Sequence, residues 1–577
     1  MPHVESEQRA SVSVAIAGSG GAGVMTAGNM LLEAAAQAGY YALMTRSSGP
    51  QIRGGEAAAM IRIATHPIDG TDDRYDLLIA LDWMNINRFA AEIPLGGDSV
   101  LVGDPDQGEP PEVFVRTGAR YTPVAFKATA KKIANGWPNM IAFGLVGALI
   151  GLPEETLAKV VQKSMKKGGD ALTGSLAAMR AGVEAAAAIA GVPRVGAAPP
   201  QTPRWLVTGN QAAGYGAIRG GVRFVAAYPI TPATELLEWM APALAKVGGA
   251  LVQAEDELAS INMILGASFG GVPALTATSG PGLSLMIESI GLGITAEVPI
   301  VVVDVMRVGP STGIATKSEQ SDLNIALHGM HGDAPHVVVA PNSVADCLLT
   351  TQWAVHLAET LQVPAIVLAD QFFGQARAVV ERPADVAFAG ERRTAPAGAE
   401  GYKRYALTES GVSPMAIPGT PGVTYTADGL EHNERGTPSS QAADHVAQLD
   451  KRARKLESLD YDGHWADVEG EGNMAVITFG SCTGPVREAF ARAAADGVRA
   501  RLVSLRLLAP AQPARLAAAL EGVKRVLVVE QNHTGQLYRY LRSEYDLPGA
   551  VTSFRRPGPL PMRPDEIHRQ LIEWSRA

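Results

Sequence analysis

Between residues 274 and 369, short apolar runs alternate with longer helical ones, and this alternation constrains the fold more than any other feature of the chain. Strand-length runs recur at 274–278, 299–304, 336–340 and 364–369. Helical runs separate them, for example 283–295 and 343–360. Strands of this kind joined through helices imply a mainly parallel sheet covered on both faces. Such sheets put ligands at the loops that follow their strands. The stretch Tyr228-Pro229-Ile230-Thr231-Pro232-Ala233-Thr234-Glu235 is a loop of that type. It follows the apolar run Phe224-Val225-Ala226-Ala227 and opens an amphipathic helical run at Leu236. Its prolines stiffen the turn, and Thr231 and Thr234 are placed to cap exposed N–H groups of the helix start. Taken alone, these residues make a stiff capped turn more readily than a ligand site.

Downstream, three acids stand together as Glu255-Asp256-Glu257, followed by Leu258-Ala259-Ser260-Ile261. The chain then turns small and apolar through Met263, Ile264, Leu265, Gly266 and Ala267 to Gly270-Gly271. The last acid therefore begins a helix with a buried character. One reading is acids at a helix N-terminus, where the dipole favours them. The other is a carboxyl held against a nitrogen heterocycle in an apolar site.

Further pieces surround these two. They are Gly209-Asn210-Gln211-Ala212-Ala213, Thr276-Ala277-Thr278-Ser279-Gly280-Pro281-Gly282, Arg307-Val308-Gly309-Pro310-Ser311-Thr312-Gly313 and Lys317-Ser318-Glu319-Gln320-Ser321-Asp322. In this order the chain resembles the alpha subunit of thiamine-dependent 2-oxoacid:ferredoxin oxidoreductases, with the gamma domain fused at its N-terminus. The pieces span about half of the alpha part, which is far more specific than one motif. The resemblance implies a multidomain α/β protein. It would have an N-terminal α/β gamma domain, a parallel-sheet pyrimidine-binding domain of the thiamine-enzyme type, and a C-terminal transketolase-like α/β domain. The expected boundaries are 1–192, a linker at 193–204, 205–382, an irregular connecting segment at 383–470, and 471–577.

Length and composition fit this plan. The chain has 577 residues, 47% hydrophobic and 19% charged, with 62 glycines. That suits several well-packed α/β domains of ~150 residues each. A net charge of −9 without a long basic run argues against nucleic acid. The N-terminal residues lack a basic-then-apolar signal pattern, and the apolar stretch near 140–152 is too short and Gly-rich to span a bilayer. The expectation is a cytoplasmic protein with no membrane segment. Cys347 and Cys482 are the only cysteines. Two thiols make no disulfide scaffold, suit a reducing compartment, and cannot hold a four-cysteine iron–sulfur cluster. Cys482 stands before a helix, where a lowered pKa is one reading and a small buried residue the favoured one.

Near the N-terminus, Gly18-Ser19-Gly20-Gly21-Ala22-Gly23 follows a strand at 12–17 and precedes a helix. A dinucleotide fold would want an acid at the end of the next strand. Here that strand ends in Thr45-Arg46, and an arginine would suit a 2′-phosphate. The glycines also suit a tight turn with close helix packing. In gamma domains the loop at 47–56 is typical and no nicotinamide is bound; Gly-rich backbone with Arg53 would suit a phosphate-bearing ligand such as coenzyme A. Residues 75–82 read as a buried parallel strand ending in an acid. The Pro/Ala-rich stretch 191–203 reads as a linker. From 383 to about 471 periodicity dissolves, apart from a helix near 439–459 expected at a subunit contact. His432, with Glu431 and Glu434, lacks a second histidine at i+4 and makes no zinc motif.

The family resemblance assigns roles. Glu257 would donate to N1′ of the aminopyrimidine of thiamine diphosphate, with Glu255 and Asp256 as rivals if the register differs. A carboxyl in that role must keep its proton near neutral pH, which calls for an apolar, buried surround. Tyr228, Pro229, Ile230 and Thr231 would line the cofactor, with Thr231 near the reacting centre. Arg307 would bind the 2-oxoacid carboxylate, for which a charged fork is the natural partner. A dicarboxylate needs a second cation, with Lys317, His328, His331 and Arg53 as candidates. No Gly-Asp-Gly…Asn site for Mg²⁺ and no cysteine cluster is present, so no metal site is expected in this chain. A beta subunit would supply the diphosphate and Mg²⁺ contacts and a 4Fe–4S cluster, in a dimer of alpha–beta pairs that reduces ferredoxin. The implied reaction is reversible: 2-oxoacid, coenzyme A and oxidised ferredoxin give acyl-CoA, CO₂ and reduced ferredoxin. The fused order and the Arg307–Gly313 pattern are most like the 2-oxoglutarate branch, with succinyl-CoA as product. Pyruvate or broad 2-oxoacid use is the alternative. Readings of another class are an NADP-dependent oxidoreductase built on the Gly18–Gly23 turn, a non-redox enzyme of the transketolase type, and a non-catalytic partner subunit.

Overall fold

A computed structural model describes residues 7–48, 55–165 and 168–576. The described chain forms two compact units. One comprises residues up to Thr208 with 376–382 and 563–565; the other comprises 209–375, 383–562 and the residues from 566.

The first unit is built on an eight-stranded sheet. Its strands lie in the order Arg120–Pro123, Val100–Gly103, Leu77–Ala80, Ser11–Gly18, Ala57–Ala64, Tyr41–Ser48, Arg377–Glu381 and Arg204–Thr208. The first four are parallel, and the pairings from Ser11–Gly18 onward are antiparallel. Ser11–Gly18 and Leu77–Ala80 are buried nearly throughout, because apolar side chains from both strand faces feed separate cores. Helix Pro138–Ile150 is apolar almost all round and buried accordingly. It packs on Gly169–Ala186 through two glycines. A Cβ at Gly144 would lie 1.9 Å from the Met179 carbonyl, and one at Gly182 would lie 2.0 Å from that of Ile141. No other residue permits so close a helix pair.

The Gly-rich turn has its own use. The amide and hydroxyl of Ser19 both donate to the Asp82 carboxylate, at 2.9 and 2.7 Å. Gly23, at φ 82°, caps the helix Val24–Gln37 and lies hard against Asn139. A dinucleotide-binding half needs the strand after this helix to lie parallel beside the first. Here Tyr41–Ser48 is antiparallel to Ala57–Ala64, which separates it from Ser11–Gly18. The geometry therefore goes against the NADP reading: the turn's amide is already held by an acid, and the glycines serve packing. Arg53, with 49–54, lies outside the described residues.

The segment expected as a linker at 193–204 carries more structure than a spacer. Arg194–Val195 pairs in parallel with Gln8–Arg9. Arg204–Thr208 pairs with Arg377–Glu381 and forms an edge of the first unit's sheet. Long-range pairing of short strands leaves little trace in local periodicity, which is why the sequence reads as linker there.

In the second unit a seven-stranded sheet runs Ala250–Gln253, Phe224–Ala227, Ala274–Thr278, Val301–Met306, Ala365–Asp370, Val337–Val339 and Leu507–Ala509. All pairings are parallel except the last. Val301–Met306 and Ala365–Asp370 are buried at every position, as expected of strands covered on both faces. A five-stranded sheet follows in the order Ala466–Gly470, Ala500–Leu505, Met474–Phe479, Arg525–Glu530 and Ala550–Arg555, parallel but for its first strand. Cys482 is buried beside it, and burial pushes its thiol well up, so it is the inert packing residue. Residues 383–441 hold no helix, and Ala442–Glu457 then forms the helix that the sequence suggests. Among the described residues, no helix is long and apolar enough to cross a membrane, and no cluster of three metal-ligating side chains occurs.

Candidate active site

Four neighbouring parallel strands, Ala250–Gln253, Phe224–Ala227, Ala274–Thr278 and Val301–Met306, end at one edge of the second unit's large sheet. The loops that leave these ends carry the candidate residues. The loop after Phe224–Ala227 holds an exposed Tyr228, partly buried Pro229 and Ile230, an exposed Thr231 and a buried Pro232. The Thr231–Pro232 peptide is cis. The buried amide of Asn210 donates to the Pro232 carbonyl at 2.9 Å and pins the loop. Neither Thr231 nor Thr234 caps the following helix, Thr234–Ala245, contrary to expectation. Instead the backbone closes the turn itself, with the Thr234 N–H donating to the Ile230 carbonyl at 3.0 Å.

Burial separates the three acids. Glu255 and Asp256 are exposed, while Glu257 is 7% exposed. Asp256 is the N-cap of helix Glu257–Phe269 and accepts from the Ala259 N–H at 2.7 Å. The helix-start role therefore falls to Asp256, and Glu257 is left inside without a capping duty. Its carboxyl lies against the start of helix Gly280–Thr295. A Cβ at Gly282 would come within 2.0 Å of Thr278 Oγ1 and 2.8 Å of Glu257 Cγ and Oε1. Glycine is thus required where Glu257 passes the helix. Gly282→Ala is expected to displace Glu257 and lower turnover at least about tenfold, at a stability cost of about 1–3 kcal/mol. Parallel activity and thermal-melting measurements on the same preparation check this.

Arg307 follows Val301–Met306 and is 6% exposed. Its Nη1 donates to the Thr231 carbonyl at 2.5 Å, and its own carbonyl accepts from Ser321 Oγ at 2.6 Å. Burial lowers its pKa, and Asp322 and Asp304 oppose that shift. Its Nε is buried without a partner. The structure so brings Arg307 and Thr231 together, while Glu257 belongs to the adjoining loop at the same sheet edge. Lys317 is half-buried, and its carbonyl accepts from the Val308 N–H at 3.0 Å. His328 and His331 are exposed, the His328 ring lying 6.2 Å from that of Tyr540.

Three residues escape the sequence reading. Asn210 pins the cis-proline loop. Asp304 and Asp322 form a buried acid pair beside Arg307. Asp304 had a legible signal, an acid within the apolar run Val301-Val302-Val303-Asp304-Val305. His432, set aside as a zinc ligand, stacks on Tyr405 with ring centroids 3.7 Å apart.

Comparison with known proteins gives these loops a family. Residues 215–451 match the thiamine-diphosphate-binding model of pyruvate flavodoxin/ferredoxin oxidoreductases, and residues 13–185 match a second model of pyruvate ferredoxin/flavodoxin oxidoreductases. The 2-oxoglutarate oxidoreductase subunit KorA of Mycobacterium tuberculosis is 31% identical over 93% of this chain and 87% of its own length. The chain belongs to the 2-oxoacid:ferredoxin oxidoreductase family. Subunit alpha of 2-oxoacid:ferredoxin oxidoreductase 2 from Aeropyrum pernix is 30% identical over 92% of this chain and 93% of its own length. Among solved structures, the 2-oxoglutarate:ferredoxin oxidoreductase of Magnetococcus marinus, with 2-oxoglutarate, coenzyme A and succinyl-CoA bound, superposes with a TM-score of 0.91 at 37% identity. That match covers 98% of this chain and 100% of the other. In this 2-oxoacid:ferredoxin oxidoreductase family member, Tyr228, Thr231, Glu257 and Arg307 all fall within the matched range 215–451.

Proposed function

We propose that this chain is the subunit of a 2-oxoglutarate:ferredoxin oxidoreductase that holds the aminopyrimidine of thiamine diphosphate and the substrate's carboxylate. The observation that carries the reading is the sorting of the acid triplet, which leaves Glu257 buried beside Gly282 while its neighbours face solvent. The donor set fits one end of the cofactor. A buried carboxyl and the rigid 228–232 loop suit a heterocycle, and no diphosphate–Mg²⁺ motif stands in the sequence. Bound there, thiamine diphosphate supplies the carbanion chemistry that decarboxylates a 2-oxoacid.

This chain's residues supply the rest. Glu257 holds and returns a proton at N1′ of the aminopyrimidine. Arg307, braced by the Thr231 carbonyl, presents its remaining N–H groups to the 2-oxoacid carboxylate. Thr231 offers its hydroxyl from the exposed side of the same loop. Lys317, bonded through its backbone to the residue after Arg307, takes the distal carboxylate of 2-oxoglutarate. A beta subunit completes the site with the diphosphate and Mg²⁺ contacts and the 4Fe–4S cluster. Electrons pass to ferredoxin, and coenzyme A takes the acyl group as succinyl-CoA. The proposed assembly is a cytoplasmic dimer of alpha–beta pairs. The relatives named for 2-oxoglutarate and the ligands in the Magnetococcus marinus structure support this substrate over pyruvate.

The test is to purify the chain with its bound partner and follow coenzyme A-dependent viologen reduction. A brown complex that prefers 2-oxoglutarate to pyruvate by about tenfold or more in kcat/KM is the expected result. Equal use of both acids would remove the 2-oxoglutarate assignment. A colourless chain indifferent to thiamine diphosphate would remove the whole reading.

A further inference from the structure

Asp304 is completely buried, and neither of its carboxyl oxygens has a donor. Across from it stands Asp322, 9% exposed, just before helix Leu323–His328. One Asp322 oxygen lies 3.1 Å from Ser321 Oγ, whose shorter contact is with the Arg307 carbonyl at 2.6 Å; the other has no donor. Gly280 makes the room, since a Cβ there would come within 2.6 Å of Asp322 Oδ1. The two carboxyls lie within hydrogen-bonding reach of each other, and that bond exists only if one of them keeps its proton. Asp304 is the group that keeps it: it is fully enclosed and burial raises it well above the usual range, whereas Asp322 is 9% exposed. Both acids act on the buried Arg307 through space rather than by a direct ion pair. Glu319 also acts on Asp322, and in turn accepts the Gly558 N–H and feels His533.

We propose that Asp304 and Asp322 are a proton-sharing pair whose charge sets, through space, how tightly Arg307 holds the substrate carboxylate. This rests on the reading of Arg307 as the carboxylate's partner. With one proton, the pair carries a single negative charge and partly neutralises the buried guanidinium. With two, it carries none, and the guanidinium attracts an anion more strongly. Burial raises Asp322 to about 6 against the opposing pull of Ser321, Asp304 and Arg307. The second proton is therefore taken up as the pH falls through that value. Neither acid touches substrate; both work through Arg307.

The experiment uses the co-purified complex and measures KM and kcat for 2-oxoglutarate from roughly pH 5.5 to 8, in wild type, Asp322→Asn, Asp304→Asn and Arg307→Lys. In wild type, KM is expected to fall about three- to tenfold as the pH drops through 6. Asp322→Asn leaves a protonated Asp304 and no charge, so its KM should stay on the low limb at every pH. Asp304→Asn replaces one donor by another and leaves Asp322 to titrate, so its KM should keep a pH dependence of the wild-type sign. A flat wild-type KM, or an Asp322→Asn profile identical to wild type, overturns the proposal. Should Asp322→Asn fail to fold, the wild-type and Asp304→Asn profiles still decide. Arg307→Lys tests the reading beneath it: a KM unchanged in that variant means that Arg307 does not hold the carboxylate. A raised KM with flat pH profiles in the other chains means that only the pair is misread.

Discussion

Replacing Glu257 by glutamine is expected to lower 2-oxoacid-dependent viologen reduction by about 10²–10⁴-fold while leaving the fold intact. Glutamine has the same shape, so the fit against Gly282 survives. It also keeps a donor N–H for a ring nitrogen. What it lacks is the ability to give up and recover a proton at that atom. The loss should therefore fall on kcat, with the melting temperature close to wild type. Two controls separate this from a general effect of charge at the helix start. Asp256→Asn retains a good N-cap, and Glu255 is exposed, so Asp256→Asn and Glu255→Gln should both stay near wild type. Activity lost in Glu255→Gln but retained in Glu257→Gln would mean that the catalytic register is misplaced.

That register shows which parts of the site are legible in a sequence. Alternating strands and helices mark the second unit's sheet, and loops at strand ends carry the motif residues because backbone direction alone puts them on one edge. Glu257 is distinguishable from its neighbours only through burial, which depends on Gly282 lying beside it in space. The Thr231–Arg307 contact joins residues far apart in sequence, and no local pattern announces it. Asp304 is visible as an acid in an apolar strand, but its partner Asp322 is not, since that pairing needs the loop geometry. The same limit explains the strands at 204–208 and 377–381. Each is short, and only long-range pairing reveals them as strands of the first unit's sheet.

Residues 383–470 show little periodicity in sequence beyond the helix near 439–459, yet a buried ion cluster fastens them within the second unit. Its centre is Glu297, which is fully buried and sits just beyond helix Gly280–Thr295 at φ 53°, a conformation costly for a residue other than glycine. Lys451 Nζ meets both of its carboxylate oxygens, at 2.5 and 2.7 Å, and Lys455 Nζ meets one at 3.0 Å. Arg404 donates to the Glu297 carbonyl at 2.7 Å. Burial alone would raise the Glu297 pKa, but Lys455, Lys451 and Arg404 outweigh it and hold the carboxyl well below the usual range. A depressed folded-state pKa means stability that is present above the ordinary carboxylate pKa and lost only as the pH falls below that range. Between pH 5 and 8 the anion is therefore always in place. Glu297→Ala would leave buried cations without a counter-charge, and a loss of about 3–5 kcal/mol in the unfolding transition is expected. Burial brings Lys451 down to about 7 even with Glu297 present. Glu297 raises the Lys451 pKa, so in the variant that lysine discharges from below pH 7, and stability should rise with pH from there. Glu297→Gly separates the charge from the backbone, because glycine relieves the positive φ while removing the carboxylate. If the ion cluster dominates, Glu297→Gly is also destabilised, and adding Lys451→Met with Lys455→Met restores much of the loss, since an apolar replacement of a whole buried network is often tolerated. A Glu297→Gly chain as stable as wild type would show that these charges do not hold the segment in place.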